Sequence, residues 1–505
     1  MPFPATVTAA PVSPISGVVV PASADRQHLL GQFFSPRSVA ELLASFAEFN
    51  GGEVRMLEAG AGAGALIAAA VRSACTAQTR PSSFNVDAWE VDEAVFPALQ
   101  ETLDRCACEC GAHGIRFDAR LNRGDFIEAA VERVRGDWFA TSAIGYTLAL
   151  LNPPYRKIRG DSRERLLLRS AGIETSNLYT AFLSLAARLL DPSGHLIGIT
   201  PRSFCNGPYF RPFREELLSR LALRRIHVFD SRAAAFRGDA VLQENVIVHA
   251  VRENATSGLV TISSSSGEAG ATIRERAFPF AEVVRPDDPE RFIRLPSEDR
   301  FADADAAVSK LRCTLGDLGL SVSTGRVVDF RAREFLRDTA GSDTAPLIYP
   351  SHFNGGWVHW PRADARKPNA IVKCDATEEL LLPEGVYVLV KRFTSKEERR
   401  RVVACIWDPE RSAPGFVGFE NHLNYFHVRG AGLDAALARG LAVFLNSTVL
   451  DHCFRLFSGH TQVNATDLKS MRYPTRAALT KLGERIEPGS SQATIDGAVE
   501  EIALA

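Results

Sequence analysis

The sequence predicts a doubly wound, Rossmann-like α/β sheet with an added antiparallel hairpin, and a second mixed α/β domain after it. Three observations lead there. Short apolar strands alternate with helical patterns from about Val54 to Val248, acids and glycines stand at the strand ends, and the alternation stops in a Ser, Gly and Pro-rich stretch beyond Ser263. Such alternation builds a mostly parallel sheet with helices on both faces.

The elements follow in order. "VRMLEAG" is the first strand and leads into an alanine-rich helix; "FNVDAWEV" is the second, with a helix from Glu93; "IRFDARLNRGDF" is the third; "YTLALLNPPY" is the fourth. A helix over 177–190, the strand "HLIGITP", a helix over 213–221 and the strand "RRIHVFDS" come next. "QENVIVHAV" and "SGLVTISSSSG" are joined by the short polar "ENATSG" and read as the antiparallel hairpin at the sheet edge. The stretch "SSSSGEAGATIRERAFPFAEVVRPDDPERF" reads as a linker.

A chain of 505 residues is long enough for two or three domains. The expected division is a tail over 1–25, a first domain over 26–290, a second over 300–485 and a C-terminal tail over 486–505. With 46% hydrophobic and 23% charged residues and no apolar run of membrane-spanning length, the composition is that of a globular protein. The N-terminal stretch has no basic region ahead of its apolar patches, so a cytoplasmic location is expected. Nine scattered cysteines form no disulfide framework, and Cys106, Cys108 and Cys110 with His113 lack the second CxxC pair of a zinc site, so no metal is expected. The net charge of −2 means that a nucleic acid would have to be held by local basic patches.

Chemistry concentrates at the strand ends. Glu58 and Ala59 close the first strand, and Gly60, Gly62 and Gly64 follow, where a backbone without side chains admits close approach of a ligand. The acid disfavours a pyrophosphate and suits a neutral or cationic cofactor. Glu90, with Val91 beside it, ends the second strand, where a carboxylate can chelate ribose hydroxyls. Asp125 and Phe126 end the third, an acceptor for an adenine amino group and a ring to pack on the base. Each alone is equally a solvated acid or a tight turn. The fourth strand ends in Asn152-Pro153-Pro154-Tyr155; the prolines have no N–H and fixed φ, which leaves a rigid pair of carbonyl acceptors beside an aromatic ring.

Together these residues resemble the gamma-group adenine-N6 DNA methyltransferases of type II restriction-modification systems, the PstI-like and TaqI-like modification methylases. The likeness runs from "GQFFSPRSVAELL" through the strand ends to "FRGDAVLQENVIV", and on to "VKRFTSKEERRR", "FENHLNYFH" and "SGHTQVNATDLKSMRYP". It implies S-adenosylmethionine as cofactor, with Phe34, Ser35 and Pro36 over its methionine part, Glu58 to Gly64 beneath, Glu90 on the ribose, and Asp125 and Phe126 on the adenine. It implies that Asn152 and Pro153 act on the amino group of a flipped adenine, with Tyr155 and Phe236 on the two faces of the base. Double-stranded DNA is the implied partner, with a separately encoded cognate restriction endonuclease beside it.

Within the second domain, Lys391, Arg392, Lys396, Arg399, Arg400 and Arg401 form the densest basic cluster and are candidates for phosphate contact. His460, Thr461, Gln462, Asn464 and Thr466 are candidates for base edges. Competing readings are a methyltransferase on protein glutamine or structured RNA, an inert DNA-binding scaffold, and a fused restriction enzyme, for which no nuclease motif is visible.

Overall fold

Strand β1 (Glu53–Ala59) is buried along most of its length because it runs through the middle of a nine-stranded sheet. The structure is a computed structural model that describes residues 35–136, 145–229, 244–253, 258–268, 270–295, 311–362, 366–394, 399–457 and 462–503. It divides into two units, residues 1–286 and 287–505. In the first, β1 lies between β2 (Ser83–Glu90) and β4 (Tyr146–Leu151), with β3 (Arg116–Arg123) outside β2, all parallel. Beyond β4 come β5 (Leu190–Pro201), β7 (Asn245–Val251), β6 (Ala222–Phe229), β8 (Leu259–Ser265) and β9 (Arg274–Pro279), in that order.

Helices connect the parallel strands. Helices Arg37–Ala44, Ala65–Thr76 and Phe96–Ala112 pack in sequence on one another, and Phe126–Arg135, Leu178–Leu189 and Arg211–Arg220 form a second such set. Leu66, Ile67 and Val71 on one helix and Leu99, Leu103 and Cys106 on the next join Met56, Val86 and Leu148 of the sheet in one core. Cys106 and Cys110 are core thiols, whose burial pushes Cys106 up to about 12.

The predicted sheet is present, but its hairpin is built differently. Strand β7 is buried at every residue and sits between β5 and β6, antiparallel to both, while β8 pairs in parallel with β6. Apolar residues at successive positions, Val246 to Val248 and Ala250 to Val251, are the pattern of a strand covered on both faces, not of an edge. The antiparallel edge pair is β8 with β9, and β9 lies in the stretch expected to be a linker.

The second unit holds two further sheets. One has the order β10 (Ser321–Thr324), β20 (Leu423–His427), β17 (Tyr387–Lys391), β18 (Ala404–Trp407), β14 (Trp357–Val358), β13 (Phe353–Asn354). The other has β11 (Leu336–Arg337), β15 (Ala370–Val372), β12 (Thr344–Ile348), β19 (Val417–Phe419), β16 (Leu381–Leu382). Tyr387, Phe419 and Tyr425 meet edge-on and tilted at 5.4–6.3 Å, with Trp407 buried in the same cluster.

Helices Ala435–Leu445 and Arg476–Arg485 cross where Gly440 meets Gly483. A Cβ on Gly440 would stand 1.7 Å from the Leu479 carbonyl oxygen, and one on Gly483 1.9 Å from that of Ala436. The last residues, expected to be a tail over 486–505, instead contain the helix Gln492–Ala503, whose Ile495 and Val499 are buried in this core. Small and apolar residues at helical spacing in "QATIDGAVEEIA" carry that signal.

Candidate active site at the strand ends

The parallel register of the first unit brings the four strand ends to one edge. Glu58 lies opposite Ala88, Glu90 opposite Arg123, and Leu57 opposite Ala149, three residues before Asn152. A cavity of about 210 Å³ opens there, and among the residues lining it are Gly60, Gly62, Glu90, Val91, Asp125, Phe126, Asn152 and Pro154. Eight residues singled out from three loops and a turn thus share one cavity.

The floor is the turn after β1. Gly60, Gly62 and Gly64 have φ of 80°, 52° and 81°, a region costly for any side chain, and a Cβ on Gly64 would come within 2.9 Å of Leu99. Gly60 and Ala61 both donate their N–H to the Trp89 carbonyl at 2.9 Å, which ties the turn to β2. Above Gly60 there is nothing within 4 Å of where a Cβ would stand, so the backbone is open to a ligand.

Two acids lie beside this turn. Glu90 is buried and accepts N–H groups from Gly62, Val91 and Asp92, each at 2.8 Å. Glu58 is 2% exposed; burial, and then the charge of Glu90, push its carboxyl well above the usual carboxylate range. Its Oε2 has no hydrogen-bond partner in the structure, an expensive state for a buried polar atom. Asp125 is exposed and caps the helix Phe126–Arg135, accepting from the Ile127 N–H at 2.7 Å. Phe126 stands between Trp89 and Phe182, at 6.1 and 5.2 Å between ring centres, and Val91 is 56% exposed at the rim. Trp89, Leu178 and Phe182 were not foreseen. Trp89 directly precedes the strand-end acid and was legible by position, whereas Phe182 lies in a helix buried on every side and carries no distinguishing pattern.

At the fourth strand end the Asn152 amide is held from both sides. Its Nδ2 donates to Ser35 Oγ at 2.9 Å, and its Oδ1 accepts the Tyr155 hydroxyl at 3.2 Å. That hydroxyl lies 3.2 Å from the Ile199 carbonyl also, and burial holds the phenol above its ordinary pKa, so it remains a donor. Tyr155 meets Tyr179 edge-on at 6.2 Å. Pro153 is buried, and Pro36 begins the first helix beside Ser35. Ser35, foreseen as a cofactor contact, touches Asn152. Glu58 and Ala59 lie beneath the cavity without lining it. Phe34 and Phe236 lie outside the described residues.

In the second unit the basic cluster is dispersed. Arg399 is exposed, while Arg400 donates to the Asn446 carbonyl at 2.6 Å. Arg401 is fully buried over the Phe454 ring, its N–H on Asp451, and is closed to phosphate. Lys391 lies over the Phe353 ring, and Arg392 donates to the Asn421 carbonyl at 2.7 Å. Asn464 caps the helix Ala465–Ser470 in a reciprocal box with Asp467, a structural use of a residue expected at a base edge. Gln462 bridges to Phe393, and Thr466 lies in that helix. Lys396, His460 and Thr461 lie outside the described residues.

The chain resembles known proteins over more than nine tenths of its length. Residues 115–236 match the Eco57I restriction-modification methylase family. The type II methyltransferase M.PstI of Providencia stuartii is 43% identical over 467 residues, 92% of this chain and 91% of that protein. M.BsuBI of Bacillus subtilis, also a type II methyltransferase, is 41% identical over 484 residues, 94% of each. In fold, the type IIL restriction-modification enzyme MmeI, solved in complex with DNA, matches 92% of this chain and 71% of its own at 11% identity and a TM-score of 0.52. With two such relatives aligned over more than nine tenths of its length, the chain belongs to the type II methyltransferases of restriction-modification systems.

Proposed function

We propose that the enzyme transfers a methyl group from S-adenosylmethionine to N6 of an adenine flipped out of duplex DNA. The observation that carries this reading is the Asn152 amide, fixed at both ends at the wall of the strand-end cavity. An amide oxygen can accept two hydrogen bonds, so Asn152 Oδ1 can take one N6 hydrogen while the Pro153 carbonyl takes the second. The amino nitrogen is thereby drawn toward tetrahedral geometry, and its lone pair is freed from the ring. The N–CH₃ bond would form as the S–CH₃ bond breaks, its electron pair leaving with sulfur, and the displaced N6 proton would pass to solvent.

The cavity suits the cofactor on two counts. Gly60 leaves backbone open, and Trp89, Phe126 and Phe182 make an apolar slot for a purine. When bound, the cofactor supplies an electrophilic methyl on sulfonium. Glu90 at the end of β2 serves the ribose and Asp125 the adenine amino group. Tyr155 offers a face to the flipped base, a contact worth ~1 to 3 kcal/mol per base, against a few kcal/mol for flipping. In this reading the first unit carries the chemistry, the second reads the sequence, and a separately encoded endonuclease cuts the unmodified site.

Incubation with isotopically labelled S-adenosylmethionine and plasmid DNA, then digestion to nucleosides and mass spectrometry, tests the reading. Label in N6-methyladenine is expected. Label in N4-methylcytosine, or none in DNA while a parallel incubation with RNA or protein takes up label, would overturn it.

A further inference from the structure

We propose that His422 reads a base in the major groove through Nε2, and that Glu420 is the positioning residue that sets its hydrogen-bonding sense. This deepens the reading of the second unit as the part that recognises DNA and rests on it. Three chain segments are tied together around His422. The Arg392 N–H donates to the His422 carbonyl at 2.9 Å, the Val463 N–H to the Arg392 carbonyl at 2.7 Å, and Phe393 forms a bridge with Gln462. The result presents an uncommon pair to solvent: Phe393 is 45% exposed and the His422 side chain 51%, with their rings 4.9 Å apart.

Behind the imidazole stands a buried acid. Glu420 is 1% exposed, and its carboxylate accepts the His422 backbone N–H at 2.9 Å and the ring Nδ1–H. A carboxylate on Nδ1 holds the proton there, so in the neutral ring Nε2 faces outward as an acceptor. In the major groove only adenine N6 and cytosine N4 offer a donor to such an acceptor, while an exposed phenyl ring favours the thymine methyl. His422 therefore selects adenine or cytosine at one position, and Phe393 selects thymine beside it.

The test is methylation by the full-length enzyme of a randomised duplex pool, read by methylation-sensitive sequencing, to define the wild-type site. Rates are then compared on duplexes carrying each single base change. His422→Ala should reduce discrimination at one position by about 2- to 12-fold, leaving the ratios at other positions unchanged. Glu420→Gln keeps the shape but can donate to Nδ1, which moves the ring proton to Nε2; preference at that same position should turn toward guanine or thymine. Loss of rate on all duplexes alike, or unchanged ratios in both variants, would overturn the inference and leave the methyltransferase reading standing. A wild-type enzyme that methylates DNA without site preference would remove the recognition reading and this inference with it.

Discussion

The strand ends of the first unit and the arginines around β17 of the second both gather polar side chains, but different things hold them. At the strand ends, backbone register decides where each side chain points, and their neighbours are mostly main-chain N–H groups, as around Glu90. Around β17, the arginines are taken up by packing: Arg401 over Phe454, Arg400 on a helix-end carbonyl, Arg392 on the Asn421 carbonyl. A site built on register keeps its geometry when one side chain is changed. A basic cluster consumed by structure should respond through stability instead.

The largest expected effect separates geometry from chemistry. Asn152→Ala should lower kcat by about 100- to 1000-fold or more with cofactor affinity nearly unchanged, since the lost acceptor acts in the transition state. Calorimetry beside a methylation assay checks this, and an equal loss of both would show that Asn152 holds the cofactor. Ser35→Ala should fall between wild type and Asn152→Ala in kcat, because the amide then loses its bond to Ser35 Oγ.

Arg401→Ala comes next and should destabilise the second unit by about 3 kcal/mol, through the packing lost over Phe454 and the side-chain bond lost to Thr394. The slope of DNA affinity against salt should stay as in wild type. A changed slope with unchanged unfolding in denaturant would place Arg401 on phosphate and break the comparison.

The two units also differ in how pH acts on them. His249 in β7 is pushed down to about 3 by burial first and then by His195, Arg225 and Arg224. An unfolded histidine titrates near 6.5, so between those values the unfolded chain binds a proton that the folded one does not. This contribution to stability is full above about 6.5 and is lost as pH falls toward 3. Asp467 is pushed up to about 7 by burial, against an ordinary value of 3.8, and has the opposite sign: its contribution is full below about 3.8 and is lost as pH rises to about 7. His249→Gln should therefore gain on wild type at pH 5.5 relative to pH 7.5, by about 1 kcal/mol. Asp467→Asn should gain on wild type as pH rises from 4 to 7. Hydrogen exchange followed on peptides from each unit reads the two separately, and the same sign in both would refute the assignment.

The smallest effect is that of Arg399, the exposed member of the cluster. Arg399→Ala should weaken binding to all duplexes alike and flatten the logarithmic salt slope by roughly 0.9 if it meets one phosphate. No change in slope would return it to the solvated surface.

The contrast explains what could be read from the sequence. Strand ends follow from the apolar runs, and parallel register then forces Glu58, Glu90, Asp125 and Asn152 to one edge, so most of the cavity was legible residue by residue. The bond from Ser35 to Asn152 was not, since it joins residues 117 apart through side chains alone. Nor was the central place of β7, which requires knowing which strands pair. In the second unit, charge density along the chain does not distinguish Arg399 at the surface from Arg401 in the core. A serviceable helix cap and a base-reading side chain also look alike in "VNATD".

The crossing of Gly440 and Gly483 bears on how such an enzyme can diversify. Each glycine faces the other helix's backbone at a distance that no side chain fits, so mutation at either position is paid for in folding whatever DNA is offered. The exposed Phe393 and His422 carry no comparable constraint from packing. If the second unit reads DNA as proposed, the crossing is the fixed frame, and a change of target would come from exchanging side chains such as Phe393 and His422 while the frame beneath stays intact.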